Sequence, residues 1–361
     1  MYLKAATLDD LLKLTFLALL KSKVRLTATK GPNTELSGVV LELTQPRARI
    51  SRTDVKGHVF SCLGELFWYL AKSNNSAHIQ YYIQLYKKFT EPDGTVRGAY
   101  GPRIFGGKRS QYDYIIRTLR KKTTSRQAVI QIFDSSDLRR KYKDTPCTCT
   151  LQFIVRDNAL SMIVHMRSND AYMGLPHDVF AFTMIQEILA RELGCRIGTY
   201  KHMVGSLHLY DCDVEKVGEF LSEGVQSTKS MPDMPIGNQW DNISQVIQIE
   251  ETLRLGRIDA LSASAMARKL PAYWSDIARL FAIYKITKEY GIAKSTHSIN
   301  NAMARDALRQ VVSIRKEMTS QYYASYIRKR TISLQRSETQ MSLIVQSPPP
   351  VAVEGTPVAP N

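Results

Sequence analysis

Two β-rich runs in the middle of the chain, residues 151–156 and 160–166, meet at Asp157-Asn158-Ala159, which favours a hairpin. Residues 179–193 then follow helical periodicity and stop at Gly194, a residue suited to the left-handed end of a helix. Residues 200–210 return to strand character. Strand, strand, helix and strand in succession place this stretch in an α/β fold.

The flanks are read in the same way. Thr7 and Asp10 form a capping box for a helix to about residue 21, with Leu8, Leu11, Leu12, Phe16, Leu19 and Leu20 on one face. Lys30-Gly31-Pro32-Asn33 predicts a turn before a strand over 36–43. Residues 63–70 read as a buried helix with one carboxylate, Glu65. The Gly- and Pro-containing stretch 91–107, around Gly98-Ala99-Tyr100-Gly101, reads as a loop, followed by a helix over 112–120 and a strand over 128–133. Past residue 250 the texture changes to helix-prone segments at 249–255, 264–268, 274–290 and 301–330. The Pro-rich end from about residue 337 is expected to be disordered.

The 361 residues carry a formal net charge of +16, which points to anionic partners: nucleotides, polyanionic cofactors, nucleic acid or acidic membranes. Five scattered cysteines without a CxxC pair fit a reducing, cytoplasmic setting that leaves a thiol free to act, and they offer no metal site. The longest apolar stretch, residues 14–20, is too short to span a bilayer, and no signal peptide or membrane anchor is expected. Between residues 301 and 336, eight Lys/Arg stand against Asp306 and Glu317, with Tyr322, Tyr323 and Tyr326 interleaved. These C-terminal helices have the composition to grip nucleic acid through phosphates and stacking, or to lie as a solvated layer on the rest.

Chemistry concentrates between residues 147 and 210. Cys147 precedes Thr148-Cys149-Thr150-Leu151-Gln152; then come Arg167-Ser168-Asn169-Asp170, Gly174-Leu175-Pro176-His177-Asp178 and Gly205-Ser206-Leu207-His208-Leu209-Tyr210. One thiol, an Arg-Ser anion clamp, a carboxylate and a His/Tyr pair suit covalent chemistry on a nucleotide monophosphate. A nucleophilic thiolate needs cationic neighbours, and Arg167 and Arg126 can supply charge and bidentate phosphate contacts together. Singly, each residue has a structural reading: a packed cysteine, a surface arginine, a helix-surface glutamate, a satisfied core histidine. Their joint order and spacing carry the functional one.

That order resembles the thymidylate synthase superfamily over roughly residues 5–215. The resemblance implies an α/β fold with a large mixed or antiparallel sheet at a homodimer interface, flanking helices and, in this chain, a C-terminal helical extension. With the change of texture past residue 250, the chain is read as a catalytic domain (1–248), a basic helical extension (249–336) that the resemblance does not cover, and the tail (337–361). The resemblance implies that Cys147 is the nucleophile, that Arg167 and Ser168 bind phosphate, and that Asp170 binds the pterin of 5,10-methylenetetrahydrofolate. Glu65, in Glu-Leu-Phe-Trp, takes the place of the glutamate that organises proton transfer through water, and Tyr100 that of the tyrosine associated with C5 proton removal. His208 and Tyr210 match the pair on the sugar hydroxyl, and Arg126 the arginine that reaches the phosphate across the dimer. The family's second arginine there is Gln127, and Lys30 is a candidate substitute. Tyr86 and Phe89 fall where the synthases carry folate-site tryptophans.

In that chemistry a thiolate adds to C6 of the pyrimidine and makes C5 nucleophilic. Where the synthases have Pro-Phe-Asn, this chain has Pro176-His177-Asp178, and their Cys-His is Cys147-Thr148. The synthase asparagine donates to uracil O4 and accepts from N3–H. A carboxyl group suits cytosine, accepting from the 4-amino group and sharing a proton with N3. Together with residues 166–170 and 204–208, these segments look like the phage deoxycytidylate hydroxymethylases and related cytidylate enzymes. That branch implies hydroxymethylation of CMP or dCMP, with water attacking the C5 methylene. A thymidylate synthase-like methyltransferase on dUMP and a non-catalytic nucleic-acid-binding protein are the alternatives.

Overall fold

The computed structural model describes residues 1–28, 30–295, 301–324 and 327. Its centre is a seven-stranded mixed sheet: β1 (Tyr2–Ala5), β2 (Arg25–Ala28), β3 (Gly31–Leu43), β4 (Val129–Gln131), β5 (Thr148–Arg156), β6 (Ala159–Asp170) and β7 (Arg196–Tyr210). The spatial order is β1-β3-β7-β6-β5-β4, with β2 paired to β3. β1 runs parallel to β3 and β6 to β7; the other neighbours are antiparallel.

The β5–β6 hairpin turns on two residues, since Asp157 and Asn158 both have positive φ (48° and 55°) and Ala159 already pairs with Arg156. Asp and Asn tolerate that left-handed conformation, which two-residue hairpins require. β6 and β7 are parallel neighbours, so a crossover must join them, and the helix Gly174–Glu192 supplies it. Phe180, Phe182, Met184, Ile185 and Leu189 bury this helix in the core, and Gly194 (φ 68°) ends it as the sequence predicts. Its start differs from expectation: it opens at Gly174, five residues early. Pro176 lies in the first turn, where a missing N–H costs nothing, and the polar pair His177-Asp178 hides the apolar period.

Other differences have local causes. Residues 100–105 form a short helix inside the stretch read as loop; Gly101 allows it, because a Cβ there would lie 2.6 Å from the Tyr69 carbonyl oxygen. β3 begins at Gly31, so Pro32 and Asn33 belong to the strand and the hairpin turn precedes them. The strand expected over 128–133 pairs only at 129–131. The helix from Asn301 stops at Lys316, and Asp276 accepts hydrogen bonds from the Thr319 and Ser320 N–H groups beyond it. The Thr7 cap and the helix Leu8–Lys21 stand as read.

Helices cover one face of the sheet, burying Leu151, Phe153, Leu160, Met162, Val164, Met166, Tyr200 and Val204. On the other face Gln152, Ile154, Ser161, Ile163, His165, Lys201 and Met203 stay half-buried or exposed. The helix Trp240–Arg254 runs continuously through residue 248. The helix Ala272–Ser295 then packs on Val59–Leu70 and its neighbours: Phe281 meets Phe67 edge-on at 5.0 Å, and Tyr284 stacks on Tyr82 and Phe60 at 5.1 and 5.5 Å. Tyr322 and Tyr323 are buried, which withdraws them from the base-stacking role their sequence suggested. Tyr326, Arg328, Lys329, Arg330, Arg336 and the Pro-rich tail lie outside the described residues.

Fully buried Arg49 pairs with Glu187 of the crossover helix, whose other oxygen accepts from the Met234 N–H at 3.1 Å. Arg49→Ala should therefore lower stability by roughly 3 kcal/mol, the lower end for a broken buried pair, because Met234 and Arg191 still hold Glu187. Chemical denaturation measures it, and an unchanged midpoint would refute the assignment.

Candidate active site

Cys147 stands at the head of β5, half-buried, and the antiparallel register (Thr148 opposite Met166) sets Arg167 of β6 beside it. The Arg167 N–H donates to the Cys147 carbonyl at 2.8 Å. Its guanidinium donates to the Pro146 and Thr145 carbonyls at 3.0 Å each and lies 3.7 Å from Cys147 Sγ. These contacts fix the guanidinium while leaving it exposed on one side. Burial pushes the Cys147 thiol above its usual pKa; Arg167 opposes this, Asp178 and Asp144 push the same way as burial, and Lys30 opposes them.

Three tyrosines and two carboxyls follow from the thiol inward. Tyr100 O accepts from Thr148 Oγ1 at 3.0 Å and from its N–H at 3.3 Å, with its ring parallel to Phe182 at 6.0 Å. Burial and the nearby charges of Asp178 and Cys147 keep Tyr100 a neutral phenol. Glu65 is buried, and its Oε1 accepts from Tyr69 (3.0 Å) and Tyr86 (2.5 Å). Burial raises its pKa and the two hydroxyls oppose the rise. Asp178, on the first turns of the crossover helix, accepts at Oδ2 from Asn169 Nδ2 at 2.7 Å. Burial, then the Glu65 charge, push its carboxyl well above the usual range, against the Asn169 hydrogen bond, and so favour its protonated form.

Further along the sheet, Asp170 of β6 pairs with His208 of β7, and Ser168 with Ser206. Asp170 Oδ1 accepts from the Tyr172 and Met173 N–H groups at 2.9 Å, leaving Oδ2 for a ligand donor. His208 and Tyr210 meet edge-on at 5.0 Å. Exposed Lys30 holds its Nζ 5.5 Å from the Phe89 ring and 6.0 Å from the Tyr210 ring, close enough for its charge to reach Cys147 and His208. Half-buried Phe89 meets Tyr86 edge-on at 6.0 Å. Arg126 does not join the cluster: it is exposed, and its carbonyl accepts from Gln152 Nε2 at 3.4 Å.

Sequence reading missed four members. Asp144 tucks against Gly98, where a Cβ would fall 2.1 Å from its Oδ2, and its charge bears on Cys147. Asn169 holds Asp178 and is itself held by His202. Lys56, brought to a pKa of about 8 by burial against the pull of Asp170 and Asp213, sits 3.3 Å above the Tyr172 ring. Of these only Asn169 had a signal, its place inside the Arg-Ser-Asn-Asp run. Among the described residues no group of His, Cys, Asp or Glu is placed to hold a metal ion, and no helix is long and apolar enough to cross a membrane.

Comparison with known proteins gives the same reading as the geometry. The chain is 26% identical over 191 residues to the thymidylate synthase of Bacillus licheniformis, spanning 50% of this chain and 68% of that protein. The family model described as thymidylate synthase matches residues 47–253, more than half of the chain and every residue of the cluster but Lys30; the chain belongs to the thymidylate synthase family.

Proposed function

We propose that this chain transfers a one-carbon unit from 5,10-methylenetetrahydrofolate to C5 of a cytidine monophosphate, CMP or dCMP, and releases the 5-hydroxymethyl nucleotide. Family membership supports the coarser part, folate-dependent modification of a pyrimidine nucleotide at C5. The cytidylate assignment rests on one observation, a carboxyl at 178 whose Oδ2 is held as an acceptor by Asn169 and whose pKa burial raises. With Oδ2 kept as an acceptor, the protonated form of that carboxyl donates to N3 and accepts from the 4-amino group, a match for cytosine.

The donor set fits the folate: Asp170 Oδ2 is available to pterin N–H groups, Tyr86 and Phe89 offer half-buried rings, and Lys56 adds a cation. When bound, the folate supplies carbon at the formaldehyde level. The chain's own residues do the rest. Arg167, Ser168 and Lys30 hold the phosphate, with Arg126 reaching it from a second copy, and His208 and Tyr210 hold the sugar hydroxyl. Cys147 Sγ bonds to C6 while Asp178 gives its proton toward N3, which leaves C5 electron-rich. After C5 has taken up the carbon, the neutral phenol of Tyr100, hydrogen-bonded by Thr148, orients the water that receives the C5 proton. Glu65, steadied by Tyr69 and Tyr86, orients the water whose oxygen joins the methylene carbon, and Cys147 leaves C6 as thiolate.

A second copy would cover the open sheet face that carries Ile154, Ile163 and Met203, so a homodimer is part of the proposal. The basic C-terminal helices are read as a packed accessory layer. The decisive assay offers CMP, dCMP, UMP and dUMP with labelled methylenetetrahydrofolate. Hydroxymethylated cytidylate with tetrahydrofolate is expected; methylated uridylate with dihydrofolate would return the chain to synthase chemistry.

A further inference from the structure

Three buried polar residues that no step above uses form a chain ending on Asp178. Tyr200 O lies 2.7 Å from His202 Nδ1, His202 Nε2 lies 3.1 Å from Asn169 Oδ1, and Asn169 Nδ2 donates to Asp178 Oδ2 at 2.7 Å. Tyr200 and His202 have no exposed surface and Asn169 is 4% exposed. The direction of the chain follows from its ends. Burial holds His202 neutral, with a pKa of about 3, and keeps Tyr200 a neutral phenol, a donor. Asn169 turns its amide nitrogen to the carboxyl, so its oxygen must accept, which requires the proton of His202 on Nε2. His202 Nδ1 then accepts from Tyr200. The last contact passes over Gly174, where a Cβ would lie 2.9 Å from Asn169 Nδ2.

We propose that Tyr200, His202 and Asn169 are positioning residues that fix the hydrogen-bond polarity of Asp178, holding Oδ2 as an acceptor for the 4-amino group and thereby favouring cytosine over uracil. This rests on the cytidylate reading above. A neutral acid alone reads both bases, because its proton can move to whichever oxygen faces a base acceptor. Asn169 breaks that symmetry: its N–H bonds better to a carbonyl oxygen than to an acid hydroxyl, so the proton stays on Oδ1, toward N3. Uracil needs the opposite arrangement, a donor at its O4.

The test compares kcat/KM for tritium release from C5-labelled dCMP and dUMP, and from CMP and UMP. Asn169→Ala and Tyr200→Phe should lower the cytidylate-to-uridylate ratio by about tenfold, the value of one hydrogen bond. His202→Gln, which can still donate to Asn169, should keep the ratio near wild type. On wild-type protein, 15N spectra of labelled histidine should give His202 as the neutral Nε2–H tautomer from pH 5 to 8 (on the order of two units above its folded pKa), independently of any variant's folding. Unchanged ratios in both variants, or the Nδ1–H tautomer, overturn the proposal. Cytidylate-selective wild type with unchanged variants sinks the relay alone; uridylate-selective wild type sinks the cytidylate reading and the relay with it.

Discussion

Cys147→Ser protein should bind cytidylate nearly as well as wild type and release almost no tritium from C5. In the proposed complex phosphate, sugar and base are held by Arg167, His208, Tyr210 and Asp178, and Arg167 keeps its hydrogen bonds to the Pro146 and Thr145 carbonyls when the sulfur 3.7 Å away becomes oxygen. The serine hydroxyl is a far weaker acid than the thiol, and the Arg167 guanidinium beside it cannot take its proton. Loss of a covalent nucleophile costs on the order of 10⁴- to 10⁶-fold in turnover. The thiol's raised pKa gives the pH dependence its sign. Thiolate grows as pH rises, so C5 exchange climbs from acid pH until Asp178 loses its proton. Arg167→Gln removes the main influence that lowers the thiol, and its rising limb should move to higher pH. Exchange in Cys147→Ser within tenfold of wild type, about 1.4 kcal/mol in barrier, would discard the nucleophile.

Much of this site was legible because chemistry was written in short runs. Cys147, Arg167-Ser168 and His208-x-Tyr210 lie on three neighbouring strands, and their sequence order becomes spatial adjacency once β5, β6 and β7 pair. The Asp157-Asn158 turn was legible because few residue pairs accept positive φ twice. Tyr100 was harder. Gly and Pro around it signal a loop, yet Gly101 is there for a close approach to the Tyr69 backbone inside a short helix. The Tyr200–His202–Asn169 chain was not legible at all. Alternation puts Tyr200 and His202 on one face of a strand, but their meeting with Asn169 depends on the parallel register of β6 and β7, which follows only from the crossover helix. Arg126 was the reverse case: its motif was plain, and its place in one chain leaves it outside the cluster, as a residue serving a second copy would be.

Asp178→Asn should move the preference from cytidylate toward uridylate, and the relay behind it gives that change a mechanism. In the wild type, Asp178 Oδ2 accepts from Asn169, and in the proposed complex also from the 4-amino group, while Oδ1–H meets N3. An amide in the same place reads uracil only when its NH2 takes the Oδ2 position, one hydrogen to O4 and one to Asn169, with its oxygen accepting from N3–H. Asn169 must then turn its oxygen inward, and His202 must move its proton from Nε2 to Nδ1. Tyr200 permits this because a phenol oxygen accepts as readily as it donates. The chain can invert with only the buried Tyr200 hydroxyl hydrogen losing its acceptor. The ratio of kcat/KM for dCMP over dUMP should fall by on the order of 10² to 10⁴, the range for a site whose buried polar groups are mismatched. The double variant Asp178→Asn, Tyr200→Phe should gain less uridylate activity than the single one, since phenylalanine cannot accept from Nδ1–H and the inverted chain loses its end. Equal gains in both would separate base choice from the relay, and an unmoved ratio in Asp178→Asn would place base reading at another residue altogether.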